Sequence, residues 1–152
     1  MKYRVDSALY EGISARREKE WQIALLDLNA EADGNEPTLS VTHASQSGVT
    51  LTLSEAGETK TTTISEATLR AHFRDYRRVI EHLVRSTATG SRQMETLDYA
   101  KKLTHDEAGE MVQDALEPLI AISHAQARRL FTLIFLVGSE LPEALVTRHR
   151  HQ

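Results

Sequence analysis

Apolar positions along the chain first become periodic after Ser14. Over residues 15–30, Trp21, Ala24, Leu25 and Leu28 recur at the i, i+3, i+4, i+7 spacing of one helix face, with Ser14 placed as the N-cap. Gly34 and Pro37 close that element. The period then falls to two. Residues 38–43 and 49–53 carry apolar side chains at alternate positions, and 59–64 is rich in β-branched threonine. The links 44–48 and 54–58 are short, polar and contain glycine, as hairpin connections do. These three runs predict an antiparallel meander.

Helical spacing returns at Ser65, where Leu69, Phe73, Tyr76, Ile80, Leu83 and Val84 fall within a narrow arc. The stretch 87–91, with Gly90, predicts a break. A short helix carrying Met94, Leu97 and Tyr99 then runs to about Leu103. Thr104 with Glu107 three residues on reads as the capping box of a further helix, whose inner face is Ala108, Met111, Val112, Ala115 and Leu116 and which Pro118 ends. Ser123 and Gln126 repeat the device for a last helix over 124–137, apolar on nearly all sides after Arg129, with Gly138 as its expected C-cap. The fold class is therefore α+β: an N-terminal helix, a three-stranded antiparallel meander, then four helices packed on the sheet around a central apolar C-terminal helix. With no internal repeat and no linker, residues 1–152 are expected to form a single domain, with 1–13 and 142–152 peripheral or frayed.

Composition narrows the chemistry. The chain has 152 residues and no cysteine, which excludes disulfides, thiolate metal ligands and a cysteine nucleophile and fits a reducing cytoplasm. The first ten residues lack the basic start and apolar run of a secretory signal. The apolar run 130–137 is too short to span a bilayer, so no membrane role is expected. A net charge of −4 argues against general nucleic-acid binding. The seven histidines, at 43, 72, 82, 105, 124, 149 and 151, make no zinc spacing, and no phosphate loop, nucleophile elbow or dinucleotide fingerprint is present. No cofactor and no metal are expected.

Three groups of residues could carry function. His105, beside Asp106 and Glu107 and with Asp98 upstream, has the makings of a general base with an orienting carboxylate; as a helix cap the same cluster only offsets the dipole. Arg128 and Arg129, early in the last helix, could hold an anion, or could be neutralised by Glu110, Asp114 and Glu117. Arg70, Arg74, Arg77, Arg78 and Arg85 form a basic flank on the long helix. From Glu66 to Arg92 six arginines face three acidic residues, leaving +3 locally. That flank is either a solvated face or a recognition surface, and it lacks the exposed aromatics that stack on bases.

Several motifs recur together: Arg74-Asp75-Tyr76, Asp98, His105-Asp106-Glu107, and the run Ala127-Arg128-Arg129-Leu130-Phe131-Thr132-Leu133-Ile134. In type and spacing they resemble the bacterial uncharacterised protein family numbered zero-two-six-two, mainly over residues 75–137. Asp106 stands where that family usually has asparagine, and Ala108 where it has glycine. The resemblance supplies no mechanism. It implies that the His105 turn and the Arg128-Arg129 turn belong to one pattern and are neighbours in space.

The leading expectation is a non-enzymatic binding or regulatory module, self-associating through its sheet edge or apolar helix faces, that recognises an acidic protein partner or a small anion through Arg74, Arg77, Arg78, Arg128 and Arg129. The alternative is a small hydrolase or lyase with His105 as base, Glu107 or Asp98 orienting it, and Arg128 or Arg129 stabilising negative charge. Nucleic-acid binding through the arginine flank ranks third.

Overall fold

The computed structural model of the protein describes residues 1–32, 34, 37–45, 47–85, 91–139 and 145–146, with 91–94 described by backbone alone. The elements are β1 (Lys2–Val5), a 3-10 turn (Ser7–Tyr10), α1 (Ala15–Leu28), β2 (Thr38–Ser45), β3 (Gly48–Glu55), β4 (Glu58–Ser65), α2 (Glu66–Arg85), α3 (Ser91–Leu116) and α4 (His124–Gly138).

The sheet is mixed and four-stranded, in the order β1-β2-β3-β4, with β1 parallel to β2 and the other pairs antiparallel. This corrects the three-stranded meander. The extra strand comes from the segment expected to be peripheral, and four residues are too few for alternation to announce it. Tyr3 and Val5 are buried nonetheless. Asn29, just after α1, closes the free edge of β1. Its side chain accepts from the Tyr3 N–H at 2.7 Å and donates to the Tyr3 carbonyl at 2.9 Å, as a neighbouring strand would. Of the expected frayed end 142–152, only Leu145 and Val146 are described, and Val146 is buried.

Within the hairpins, Leu39, Val41, Val49, Leu51, Leu53 and Ile64 face the helices, while Thr50, Thr52, Thr61 and Thr63 lie on the outer face. A bulge at Thr42 shifts the phase of β2, so Ala44 pairs with Val49. Gly48 has φ +137°, and a Cβ there would fall 2.2 Å from the Ile64 carbonyl oxygen, so no other residue fits. The β3–β4 turn has positive φ at Ala56 (52°) and Gly57 (79°), the pattern of the type I′ turn that suits twisted strands.

Among the described residues three helices, not four, follow the sheet. α2 starts directly from β4, and Ser65 Oγ accepts from the Thr68 N–H at 3.2 Å. The break expected at Thr104 is absent: α3 runs on from Ser91 to Leu116, so Thr104 and Glu107 are mid-helix and form no capping box. Threonine costs a helix interior only tenths of a kcal/mol, about 0.7 at most. Burying Ala108, Val112 and Leu116 on one continuous face outweighs that. The break predicted at 87–91 falls largely outside the described residues. α4 is capped as expected, with Ser123 accepting from the Gln126 N–H at 3.1 Å. It packs on α1, α3, β2 and β3, and Ala127, Leu130, Phe131, Leu133, Ile134, Phe135 and Leu136 are buried. Gly138 belongs to the helix and is not a left-handed cap; Ser139 follows as C-cap. No helix among the described residues is long and apolar enough to cross a membrane.

Candidate functional site

The first site candidate lies where α3 crosses α4. Each helix sends one histidine to a backbone carbonyl of the other: His105 Nε2 lies 2.7 Å from the Arg128 carbonyl, and His124 Nε2 lies 3.0 Å from the Asp106 carbonyl. A carbonyl only accepts, so both nitrogens carry the proton. The remaining nitrogen of His105, Nδ1, accepts from the Arg128 guanidinium at 3.4 Å. Thr132 Oγ1 lies 3.0 Å from His105 Nε2 and donates to the same Arg128 carbonyl at 3.3 Å. Arg128 Nε is 2.9 Å from Asp106 Oδ1, an ion pair in which the N–H does not point along the contact. Close approach at the crossing depends on Gly109, where a Cβ would meet Arg128 Cγ at 2.7 Å.

Burial, and then the Arg128 charge, push the His105 pKa down to about 4, so the ring is neutral. It packs on Tyr76 at 5.5 Å and Phe131 at 6.0 Å. Burial raises the Tyr76 hydroxyl to about 12. A neutral imidazole has the right form for a base, but here its one lone pair faces a guanidinium. Glu107 and Asp98 are exposed on α3 and neither bonds to His105; Asp106 is the carboxylate drawn into the crossing. The crossing thus brings His105 and Arg128 together and leaves Glu107 and Asp98 outside.

Arg129 points elsewhere and pairs with Asp27 of α1 at 3.6 Å. The carboxylates that meet the two arginines are therefore Asp106 and Asp27. Glu110, Asp114 and Glu117, the partners expected from sequence, are not involved, because α4 crosses α3 a turn earlier and also packs on α1. Among the described residues no group of three histidine or acidic side chains is placed to hold a metal ion.

The second site candidate is a cleft of about 800 Å³ between α2, the β2–β3 hairpin end and the end of α4. Its apolar side includes Val49, Leu69, Phe73, Phe135 and Val137; Arg70, Arg74 and Arg77 stand on its rim, with Glu66 at one end. The structure thus divides the basic flank. The i, i+4, i+7 arginines line the cleft, whereas Arg78 and Arg85 do not. Arg70 is held by Glu66 at 2.6 and 2.8 Å and Arg77 by Glu81 at 2.8 Å, while Arg74 has one 3.3 Å contact to Asp75. Each arginine keeps donors to spare.

All three phenylalanines of the chain, Phe73, Phe131 and Phe135, join Tyr76 in one cluster with ring centroids 4.9–6.2 Å apart. The crossing and the cleft back onto opposite sides of it, since His105 packs on Tyr76 and Phe131 while Phe73 and Phe135 line the cleft. Sequence reasoning missed the cleft's apolar members and the parts of Gly48, Gly109, His124 and Gly138. Gly48 and Gly138 were legible only as a turn and a helix-end signal, and Gly109 gave no signal within its helical run, since what each approaches is distant in sequence.

Comparison with known proteins agrees with the motif resemblance. The family described as uncharacterised protein family (UPF0262) matches residues 1–139. A UPF0262 protein of Sphingopyxis alaskensis is 41% identical over 66 residues, 43% of this chain and 40% of the relative. One from Methylobacterium radiotolerans is 37% identical over 73 residues, 47% of this chain and 46% of the relative. The matched part thus spans less than half the length of these two relatives. A third, from Acidiphilium cryptum, is 27% identical over 139 residues, 86% of each chain. No solved structure matches this chain. With the match extending from the first strand through the last helix, the chain belongs to the uncharacterised protein family UPF0262.

Proposed function

We propose that this protein is a binding module that takes a small anionic ligand in the cleft beside α2. The observation that carries this reading is the cleft itself: an apolar concavity of about 800 Å³ with Arg70, Arg74 and Arg77 along one rim. Its size falls within the range of small-molecule pockets, roughly 300–1,000 Å³, and a few convergent cations over an apolar floor are what orient an anion there. Arg74 is the principal contact, because its guanidinium is the least committed of the three. The α3–α4 crossing has a structural part in this reading: its two histidines bond backbone carbonyls of the facing helix and Arg128 pairs with Asp106, which ties the helices together.

The test is native mass spectrometry of the untagged protein isolated gently from its own host, beside the Arg74→Ala variant. Retention of a small anion by the unchanged protein, lost in the variant, is the expected result. A stoichiometric protein partner with no small ligand would replace the cleft reading with recognition of an acidic partner. A ligand retained equally by both forms would remove Arg74 from the site.

A further inference from the structure

Resting on the reading of the cleft as an anion site, we infer that its ligand is an aliphatic monocarboxylate, a free acid whose hydrocarbon chain lies across the floor and whose carboxylate meets Arg74. The positive charge is confined to one side. All three arginines come from one face of α2, and among the described residues no lysine, arginine or histidine contributes from the hairpin or from α4. A polyanion, with charge distributed along its length, would find cations at only one edge. The available charge is also small, since Glu66 and Glu81 already neutralise Arg70 and Arg77. One loosely paired guanidinium, that of Arg74, matches one carboxylate.

The rest of the lining argues against sugars and nucleotides. Such ligands need polar partners along their length, yet among the described residues only two hydroxyls line the cleft, and each already makes one bond. Ser45 Oγ bonds Ser47 Oγ at 2.7 Å, and Ser139 Oγ donates to the Phe135 carbonyl at 2.5 Å. What is left is hydrocarbon, presented by the partly exposed Phe73 and Val137 with the buried Val49, Leu69 and Phe135 behind them. Gly138 keeps this floor open. A Cβ at Gly138 would stand 3.0 Å from Val49 Cγ2 and 3.5 Å from two Phe73 ring carbons, and Gly48 shares the lining.

The experiment is titration calorimetry of the full chain with acetate, hexanoate, octanoate, decanoate and inorganic phosphate, each below its aggregation limit. Binding of the longer acids is expected, tightening about fourfold per added methylene, as burial of a CH2 predicts. Phosphate and acetate should bind at least a hundredfold more weakly than decanoate. Arg74→Ala should weaken every acid about tenfold while keeping the dependence on chain length. Backbone amide shifts on adding decanoate to the unmodified protein should centre on Val49, Phe73 and Phe135, a readout that needs no variant to fold. Phosphate binding as tightly as decanoate, or affinity independent of chain length, would overturn this inference and leave the anion reading intact. Absence of binding by every acid and by phosphate would overturn both.

Discussion

His105 shows how one side chain acquires its properties from another element. Its ring is neutral because burial and the facing Arg128 guanidinium both disfavour the cation, which lowers its pKa from 6.5 to about 4. A folded-state pKa below the unfolded value means that the unfolded chain binds the extra proton first. This contribution to stability is therefore fully present above pH 6.5 and is lost as pH falls from there towards 4. At pH 5 the loss from this one group is about 2 kcal/mol. Urea unfolding at pH 7.5 and pH 5 should show the unmodified protein losing that much more stability across the interval than His105→Gln, which has no proton to take up. Equal losses in the two proteins would mean that His105 titrates normally in the fold. The sequence, through the motif resemblance, placed His105 near Arg128. It could not show which ring nitrogen carries the proton, because that is set by a carbonyl 23 residues away.

Between elements, the decisive contact is the reciprocal exchange of histidines across α3 and α4, and Gly109 sets its distance. Alanine at 109 would gain about 1 kcal/mol of helix propensity. Its methyl would also enter the space of Arg128 Cγ at 2.7 Å and press on His124 Nε2 at 3.1 Å, disturbing both the Asp106 pair and the Asp106 carbonyl bond. Overpacking of this kind costs about 1–3 kcal/mol, so Gly109→Ala should be destabilised by about 1 kcal/mol despite the better helix former. Thermal unfolding checks this, and a rise in Tm would show that the helices can separate without penalty. Elements with strong periodicity and a cap, α1, α2 and α4, were legible within a residue or two because the signals lie inside the element. β1 and the continuity of α3 were not. The first depends on Asn29 and on pairing with β2; the second depends on burial against α2 and α4, which outweighs a weak local stop at Thr104.

At the scale of the whole molecule, the sheet has two edges and treats them differently. The β1 edge is occupied by the Asn29 amide, whereas β4 offers an eight-residue strand with Thr59, Lys60, Thr61 and Thr63 exposed. Such an edge is a template for another strand unless something blunts it. Lys60 supplies the block. It pairs in register with buried Leu53 on the helix-facing side of the sheet and shares a small hollow with Leu53, Glu58 and Leu119, so a charge stands where an incoming strand would need an apolar neighbour. Valine at 60 would remove the charge and add β propensity to a run already rich in threonine. Lys60→Val is therefore expected to associate with increasing concentration, in sedimentation velocity, over a range in which the unmodified protein keeps one species. Lys60→Arg, which keeps the charge, should sediment like the unmodified protein. If the valine variant also sediments unchanged, the β4 edge is protected by its twist or its neighbours, and Lys60 has no part in keeping it unpaired.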